Sequence, residues 1–287
     1  MRCQAGSAAA TGQRGSSVTP FRKALVTGAS SGLGRALAMA LAAEGVALIL
    51  VARSTAQLQA LAKALPVPVE ILSCDLAIAE QRKHLVELIW EKQPDLIINN
   101  AGFGLYGDAT AHPTSAQLEM VEVNACAVLE ITLEGARALH QNHKRGTICN
   151  ISSAAAFFAY PTFAVYAATK GFVNQVSMAL DQELAPHGVR VLTCCPGQVA
   201  TEFRNRASGG YPQAREGVTL SLEKAVRLIL KQIARGKRLE VIDWRYKWMC
   251  WLSRWIPSSL LMHKLQGSLK QRHGFTSFQG TRRADGE

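Results

Sequence analysis

From Lys23 onward the chain alternates short continuous apolar runs with longer stretches whose apolar residues recur every three or four positions. KALVT (23–27), VALILVA (46–52) and runs at 68–72, 95–99, 146–151 and 189–195 read as strands, and RLEVID (238–243) as a final one. Continuous apolar character, as opposed to strict alternation, belongs to strands covered on both faces. GRALAMALAAEG (34–45) and segments near 55–65, 79–92, 115–142 and 163–185 have helical spacing and fill the intervals. Strand and helix in turn predict one doubly wound parallel sheet with helices on both faces, an α/β fold in which ligands bind beyond the carboxyl ends of the strands. No repeat or linker divides the region, so 23–243 is expected to form a single domain.

Those strand ends carry the candidate chemistry. After the first strand stands TGASSGLG (27–34), with Gly28, Gly32 and Gly34 opening a helix. Glycine lets a backbone turn tightly and approach a pyrophosphate, which helix N-terminal amides then hold. The Lys-Ser/Thr of a nucleoside triphosphate loop is absent, which argues against an ATPase. The second strand ends in Ala52, Arg53 and Ser54, where a fold preferring NAD would place an acid for the ribose 2′-hydroxyl. Arginine suits a 2′-phosphate instead, with Ser54 as an additional donor, so NADP is favoured over NAD.

TGASSGLG, CDL (74–76), NNAG (99–102), VN (123–124), NISS (150–153), YAATK (166–170) and PGQVAT (196–201) together resemble the short-chain dehydrogenase/reductase family, in its order and close to its spacings over about residues 23–243. The resemblance implies a Rossmann-like fold and an NADP-dependent oxidoreductase acting on a carbonyl or alcohol. It implies cofactor contacts from Gly28, Ser30, Ser31, Gly32, Leu33 and Gly34, and from Arg53 and Ser54. Asp75 and Leu76 would bracket the adenine, with Asn100, Ala101 and Gly102 along the adjoining ribose. Pro196, Gly197, Val199 and Thr201 would flank the nicotinamide. The same resemblance selects a catalytic set of Asn124, Ser153, Tyr166 and Lys170, of which Tyr166 and Lys170 would also contact the cofactor, Lys170 by holding the nicotinamide ribose.

Tyr166 and Lys170 stand four residues apart and share one helix face. A free tyrosine, with a pKa of about 10, is a poor acid–base catalyst at neutral pH. A lysine ammonium and an oxidised nicotinamide beside it are expected to lower that pKa. Ser153 is chosen over Ser152 because the family pattern places its serine thirteen residues before the tyrosine; its hydroxyl would hold the substrate oxygen. Asn124, midway along the long helix, resembles the family's asparagine that anchors water to the active-site lysine. Hydride passes directly between cofactor and substrate carbon, so no metal is expected. Aromatics in FFAYPTF (157–163) point to an apolar pocket and a lipophilic substrate, and 202–221 to a mobile flap over it. The long helices near 115–142 and 163–185 are where this family builds dimers or tetramers. The alternative reading is an NADP-binding scaffold with vestigial catalysis, against which the intact catalytic set counts.

Composition sharpens the outline. With 287 residues, 48% apolar and 18% charged, the chain can bury a full core and is neither fibrous nor disordered. Its seven cysteines form no C-x-x-C pair and read as reduced thiols of an intracellular protein. No apolar run reaches the length of about 18 residues that spans a bilayer. The net charge of +11 is uneven: residues 24–223 hold fourteen basic and seventeen acidic side chains, a net of −3, whereas 224–287 hold fourteen and four, a net of +10. Residues 1–22 are small, polar and acid-free, expected as a disordered leader or an organellar import signal.

Beyond Asp243 a basic, tryptophan-rich extension (244–287) is expected to form an amphipathic helical appendix. Trp244, Trp248, Trp251 and Trp255 fall within roughly 60° of one another on a helix. Two occupants suit that stripe: an anionic membrane surface met peripherally through 244–265, or protein, as packing on the domain or a second subunit. The sequence argues against nucleic acid, since no other aromatic platform accompanies the charge.

Overall fold

The computed structural model describes residues 20–208, 219–253 and 255. Seven strands form one parallel sheet: β1 (Lys23–Thr27), β2 (Ala47–Ala52), β3 (Val69–Ser73), β4 (Leu96–Asn99), β5 (Gly146–Ile151), β6 (Val189–Cys195) and β7 (Leu239–Val241), in the order β3-β2-β1-β4-β5-β6-β7. The order reverses between β1 and β4, and the crevice at such a reversal is where this architecture binds ligands.

The register explains why the strands are apolar throughout. Leu25 pairs with Ile49 and Ile97, and Ile97 with Ile148, so one row of side chains crosses four strands on one face. Val26, Leu50, Ile98 and Cys149 make the corresponding row on the other face. Helices α1 (Gly32–Ala43) and α2 (Thr55–Ala64) cover that second row with α8 (Leu222–Arg235), while α3 (Ala79–Lys92) and α5 (Ala127–Gln141) cover the first. The large residues of both rows are fully buried, each contributing about 1.5–3 kcal/mol by leaving water.

Three departures from the expected elements bear on function. The helix near 115–142 is two, α4 (Thr114–Val121) and α5, joined by a wider π turn at Glu122–Cys126 that contains Asn124. An i→i+5 turn inserts a residue and re-aims the side chains around it. The expected elements leave 222–237 empty, and the structure fills that stretch with α8, capped by the Ser221 hydroxyl accepting the Lys224 amide at 3.3 Å. Within the expected flap, Phe203–Ala207 forms the short helix α7, and 209–218 lie outside the described residues.

The remaining helices are α6 (Ala164–Leu184), which carries Tyr166 and Lys170, and α9 (Trp244–Ser253). Asp181 anchors the far end of α6: its carboxylate accepts from Arg190 at 2.7 Å, Arg238 at 2.6 Å and the Val191 amide at 3.0 Å. The tryptophans of α9 do not pack on the domain: Trp244, Trp248 and Trp251, with Trp255 just after the helix, are 54–75% exposed. No helix among the described residues is long and apolar enough to cross a membrane, and the six described cysteines are free thiols. Residues 1–19 of the expected leader and the whole of the chain after Trp255 lie outside the described residues.

Candidate active site

At the reversal point the ends of β1 and β4 are locked together. The Thr27 hydroxyl accepts the amides of Asn100 and Ala101, both at 3.0 Å, and the Asn100 side chain donates to the Thr27 carbonyl at 3.0 Å. Gly28 sits at φ +65°, a backbone region costly for other residues. A Cβ on Gly34 would lie 2.3 Å from the Gly28 carbonyl oxygen, so the turn and the first turn of α1 approach to a distance only glycine allows. No acid stands in that first turn, which leaves the positive end of the helix uncompensated.

A cavity of about 850 Å³ opens in front of this turn. Ser30, Ser31, Gly32 and Leu33 line it with Gly28; so do Arg53 and Ser54 after β2, Asp75 and Leu76 after β3, and Asn100, Ala101 and Gly102 after β4. From the β6 side come Pro196, Gly197, Val199 and Thr201, and from the catalytic side Ser153, Tyr166 and Lys170. Gly34 and Asn124 stand behind the wall. Some of these polar groups already have local duties: Ser54 caps α2 by accepting the Gln57 amide at 3.4 Å, and Asp75 accepts the Ala77 amide at 3.0 Å. Arg53, 72% exposed, lies only loosely beside Asp75 at 4.0 Å and Glu119 at 3.9 Å.

The two serines after β5 divide as the sequence suggests. Ser152 is buried and donates to the Lys170 carbonyl at 3.0 Å, whereas Ser153 faces the cavity, accepts the Ala155 amide at 3.1 Å and hydrogen-bonds Tyr166. Burial dominates the electrostatics of Tyr166. Burial pushes its phenol up to about 12, with the Ser153 hydrogen bond pulling the other way. The Lys170 ammonium lies 5.8 Å from the Tyr166 ring centroid and donates to the Ile151 carbonyl at 3.0 Å. Burial brings Lys170 itself down to about 8. Desolvation disfavours both charged forms and is the largest influence on each. Asn124 does not touch Lys170 directly. Its side chain accepts the Phe103 amide at 3.1 Å and donates to the Phe103 carbonyl at 2.8 Å and the Thr169 hydroxyl at 3.4 Å. Asn124 and Lys170 nevertheless converge on Gly102, where a Cβ would meet the asparagine Oδ1 at 2.9 Å and the lysine Nζ at 3.4 Å.

Sequence reasoning missed much of the substrate side. Tyr106 stacks on Phe163 with ring centroids 3.9 Å apart, and Phe163 on Tyr166 at 4.2 Å, so the phenol rests against a three-ring column. Phe203 of α7 meets the Tyr166 ring at a tilt, centroids 5.7 Å apart, and Arg206 reaches from α7 to the Ser31 hydroxyl at 3.4 Å. Tyr246 and Met249 of α9 complete the wall. FFAYPTF signalled part of this lining; nothing local to α9 marks it as wall, because the contact spans about fifty residues of chain from β6. The described residues hold no group of three or more His, Cys, Asp or Glu placed to bind a metal.

A family model described as short chain dehydrogenase matches residues 22–211. An uncharacterized oxidoreductase of Staphylococcus epidermidis is 31% identical over 200 residues, covering 69% of this chain and 86% of that one. A very-long-chain 3-oxoacyl-CoA reductase of Pyrenophora tritici-repentis is 30% identical over 230 residues, covering 74% and 67%. Among solved structures, a short-chain dehydrogenase from Sphingobium yanoikuyae in complex with NADPH superposes with a TM-score of 0.70 at 26% identity, covering 93% of this chain and 99% of that one.

Proposed function

Because the chain belongs to the short-chain dehydrogenase family, we propose that it reduces the carbonyl group of a lipophilic aldehyde or ketone with NADPH. The observation that carries this reading is the single cavity shared by Ser153, Tyr166 and Lys170, the glycine turn and Arg53. When bound, the nicotinamide supplies hydride directly to the carbonyl carbon, without a metal. Tyr166 donates its phenolic proton to the carbonyl oxygen, and Ser153 hydrogen-bonds that oxygen as charge develops on it. Burial keeps the phenol in the protonated form that can donate, and the Ser153 hydrogen bond pulls its pKa back down. Lys170 returns a proton towards Tyr166 from a site where burial makes its ammonium readier to release one. Asn124 positions Lys170 and Gly102 through the backbone of Phe103.

The cofactor preference follows from Arg53. Its exposed ion pairs are worth about 0–1 kcal/mol, whereas charge-assisted hydrogen bonds contribute about 1.5–3 kcal/mol each, so a ribose 2′-phosphate outcompetes Asp75 and Glu119 for the guanidinium. The NADPH complex of the Sphingobium structure supports the same choice. An apolar substrate suits the aromatic lining and the very-long-chain 3-oxoacyl-CoA reductase among the relatives. Leu118 of α4 and Phe172 of α6, 59% and 41% exposed, offer apolar contact for a homodimer or homotetramer, and the free thiols suit an intracellular setting. The test is oxidation of NADPH by aldehydes and ketones of increasing chain length, repeated with NADH and with Tyr166→Phe. Turnover rising with apolar length, faster with NADPH and lost in the variant, is expected; unchanged turnover in Tyr166→Phe overturns the mechanism, and NADPH binding without turnover of any carbonyl leaves the scaffold reading.

A further inference from the structure

Helix α9 has two faces with different business. Inward, Tyr246 lies flat on the cofactor-side loop: a Cβ on Gly197 would come within 2.2 Å of its ring. Cys250 is buried towards the Ala154 carbonyl at 3.9 Å, and Met249 joins Tyr246 in the cavity wall. On a helix at roughly 100° per residue these three centre on the side opposite the tryptophan stripe. Outward stand Trp244, Trp248 and Trp251, followed by Trp255, with Trp248 and Trp251 edge to face at 5.6 Å. Six of the eleven exposed large apolar side chains among the described residues fall between 244 and 255. Isolated exposed apolar residues need no explanation, whereas a contiguous aromatic patch marks a surface that something covers.

Charge says what covers it. Lys224, Arg227, Lys231 and Arg235 of α8 are all exposed and fall within roughly 80° on that helix, a cationic stripe. Lys224 lies near enough to Asp243, the residue before α9, for its charge to act on that carboxylate, so the stripe starts where α9 starts. Residues 244–287 add eight basic and two acidic side chains, a net of +6. A second copy of the chain would bring one strongly cationic region against another, and like charge opposes that contact. An anionic lipid surface meets both features: its headgroups attract the cations, and the headgroup level is where indole rings settle. With no spanning helix among the described residues, the fitting mode is to lie on the bilayer.

We propose that Trp244, Trp248, Trp251 and Trp255, with the cationic stripe beginning at Lys224, seat the enzyme on an anionic bilayer and hold the cavity wall formed by Tyr246 and Met249 beside the lipid. The supply of substrate from the bilayer rests on the lipophilic-carbonyl reading; the seat does not. The full chain is mixed with phosphatidylcholine vesicles with and without phosphatidylglycerol, sedimented, and compared with Trp248→Ala/Trp251→Ala and Lys224→Glu/Arg227→Glu. Binding only to phosphatidylglycerol vesicles, weakened by salt and reduced about tenfold or more in both variants while their melting curves stay unchanged, is expected. Equal recovery of the variants, absence of vesicle binding, or a concentration-dependent dimer in the ultracentrifuge that the tryptophan variant abolishes each overturns the proposal, the last by assigning the face to a second copy. Vesicle binding without any carbonyl reduction would sink the proposed chemistry and leave the seat intact.

Discussion

The cavity has two walls built by different means. The catalytic wall, carried by the end of β5 and by α6, rests on buried polar groups: Asn99 donates to Asn150 at 2.8 Å and Thr132 at 3.2 Å, and Asn150 to Ser177 at 2.9 Å. The facing wall comes from α7 and α9, added beyond the sheet, where Met249 is 42% exposed. This buried network, in which the Asn99 side-chain oxygen lacks a partner, still ties four side chains together through directional bonds, and proton transfer needs its donor within hydrogen-bond reach. Apolar substrate contact needs only area and approximate shape, so its wall can be a peripheral helix whose other face is spent on lipid. The difference separates what performs the chemistry from what chooses and delivers the substrate.

Four substitutions test that division. Tyr166→Phe, in the fixed wall, lowers kcat by about 10²–10⁴-fold, the usual contribution of acid–base catalysis, while NADPH fluorescence titration finds its affinity nearly unchanged. Arg53→Ala weakens NADPH binding by about 10–100-fold and NADH binding hardly at all, as loss of a charge-assisted contact requires. Asp181→Asn loosens α6 from β6 and costs about 2 kcal/mol in urea unfolding. That is less than the roughly 3–5 kcal/mol of a fully buried pair, because Arg190 and Arg238 keep a third or more of their side chains in water. Burial raises the Asp181 pKa but the Arg190, Arg238 and Val191 contacts lower it more, for a net fall. A depressed carboxylate adds stability above its unfolded pKa of about 4 and loses it as pH falls below, so the variant flattens the acid limb of the stability curve. Met249→Ala, in the peripheral wall, changes KM for a bulky ketone by less than about tenfold and stability by under about 0.5 kcal/mol. A kcat loss as large as that of Tyr166→Phe there would erase the distinction between the walls.

Several elements were readable from local sequence because local physics sets them. The helix over 79–92 and the strands over 146–151 and 189–195 begin and end where apolar spacing changes. Helix α1 starts two residues earlier than expected, since Ser31 is extended and Gly32 and Leu33 already belong to the helix. Helix α8 was equally readable in EKAVRLILKQIAR, with its apolar residues at helical spacing, yet the expected elements skip it. The π turn at Asn124 had no sequence signal, because an i→i+5 turn is imposed by what the side chain must reach, here both backbone groups of Phe103.

The sequence by itself determined the alternating sheet architecture, the glycine turn, the absence of an acid after β2 and the four-residue spacing of Tyr166 and Lys170, all of which depend on neighbours along the chain. Only the tertiary structure decided how these groups behave. Burial, which no local window reports, holds the Tyr166 phenol protonated and brings Lys170 down to about 8. Long-range packing put Tyr106, Phe163 and Tyr166 in one column and turned one face of α9 into the cavity wall while leaving its tryptophans outside. Desolvation and packing are sums over whatever surrounds a side chain in space, and those surroundings exist only once the chain has folded.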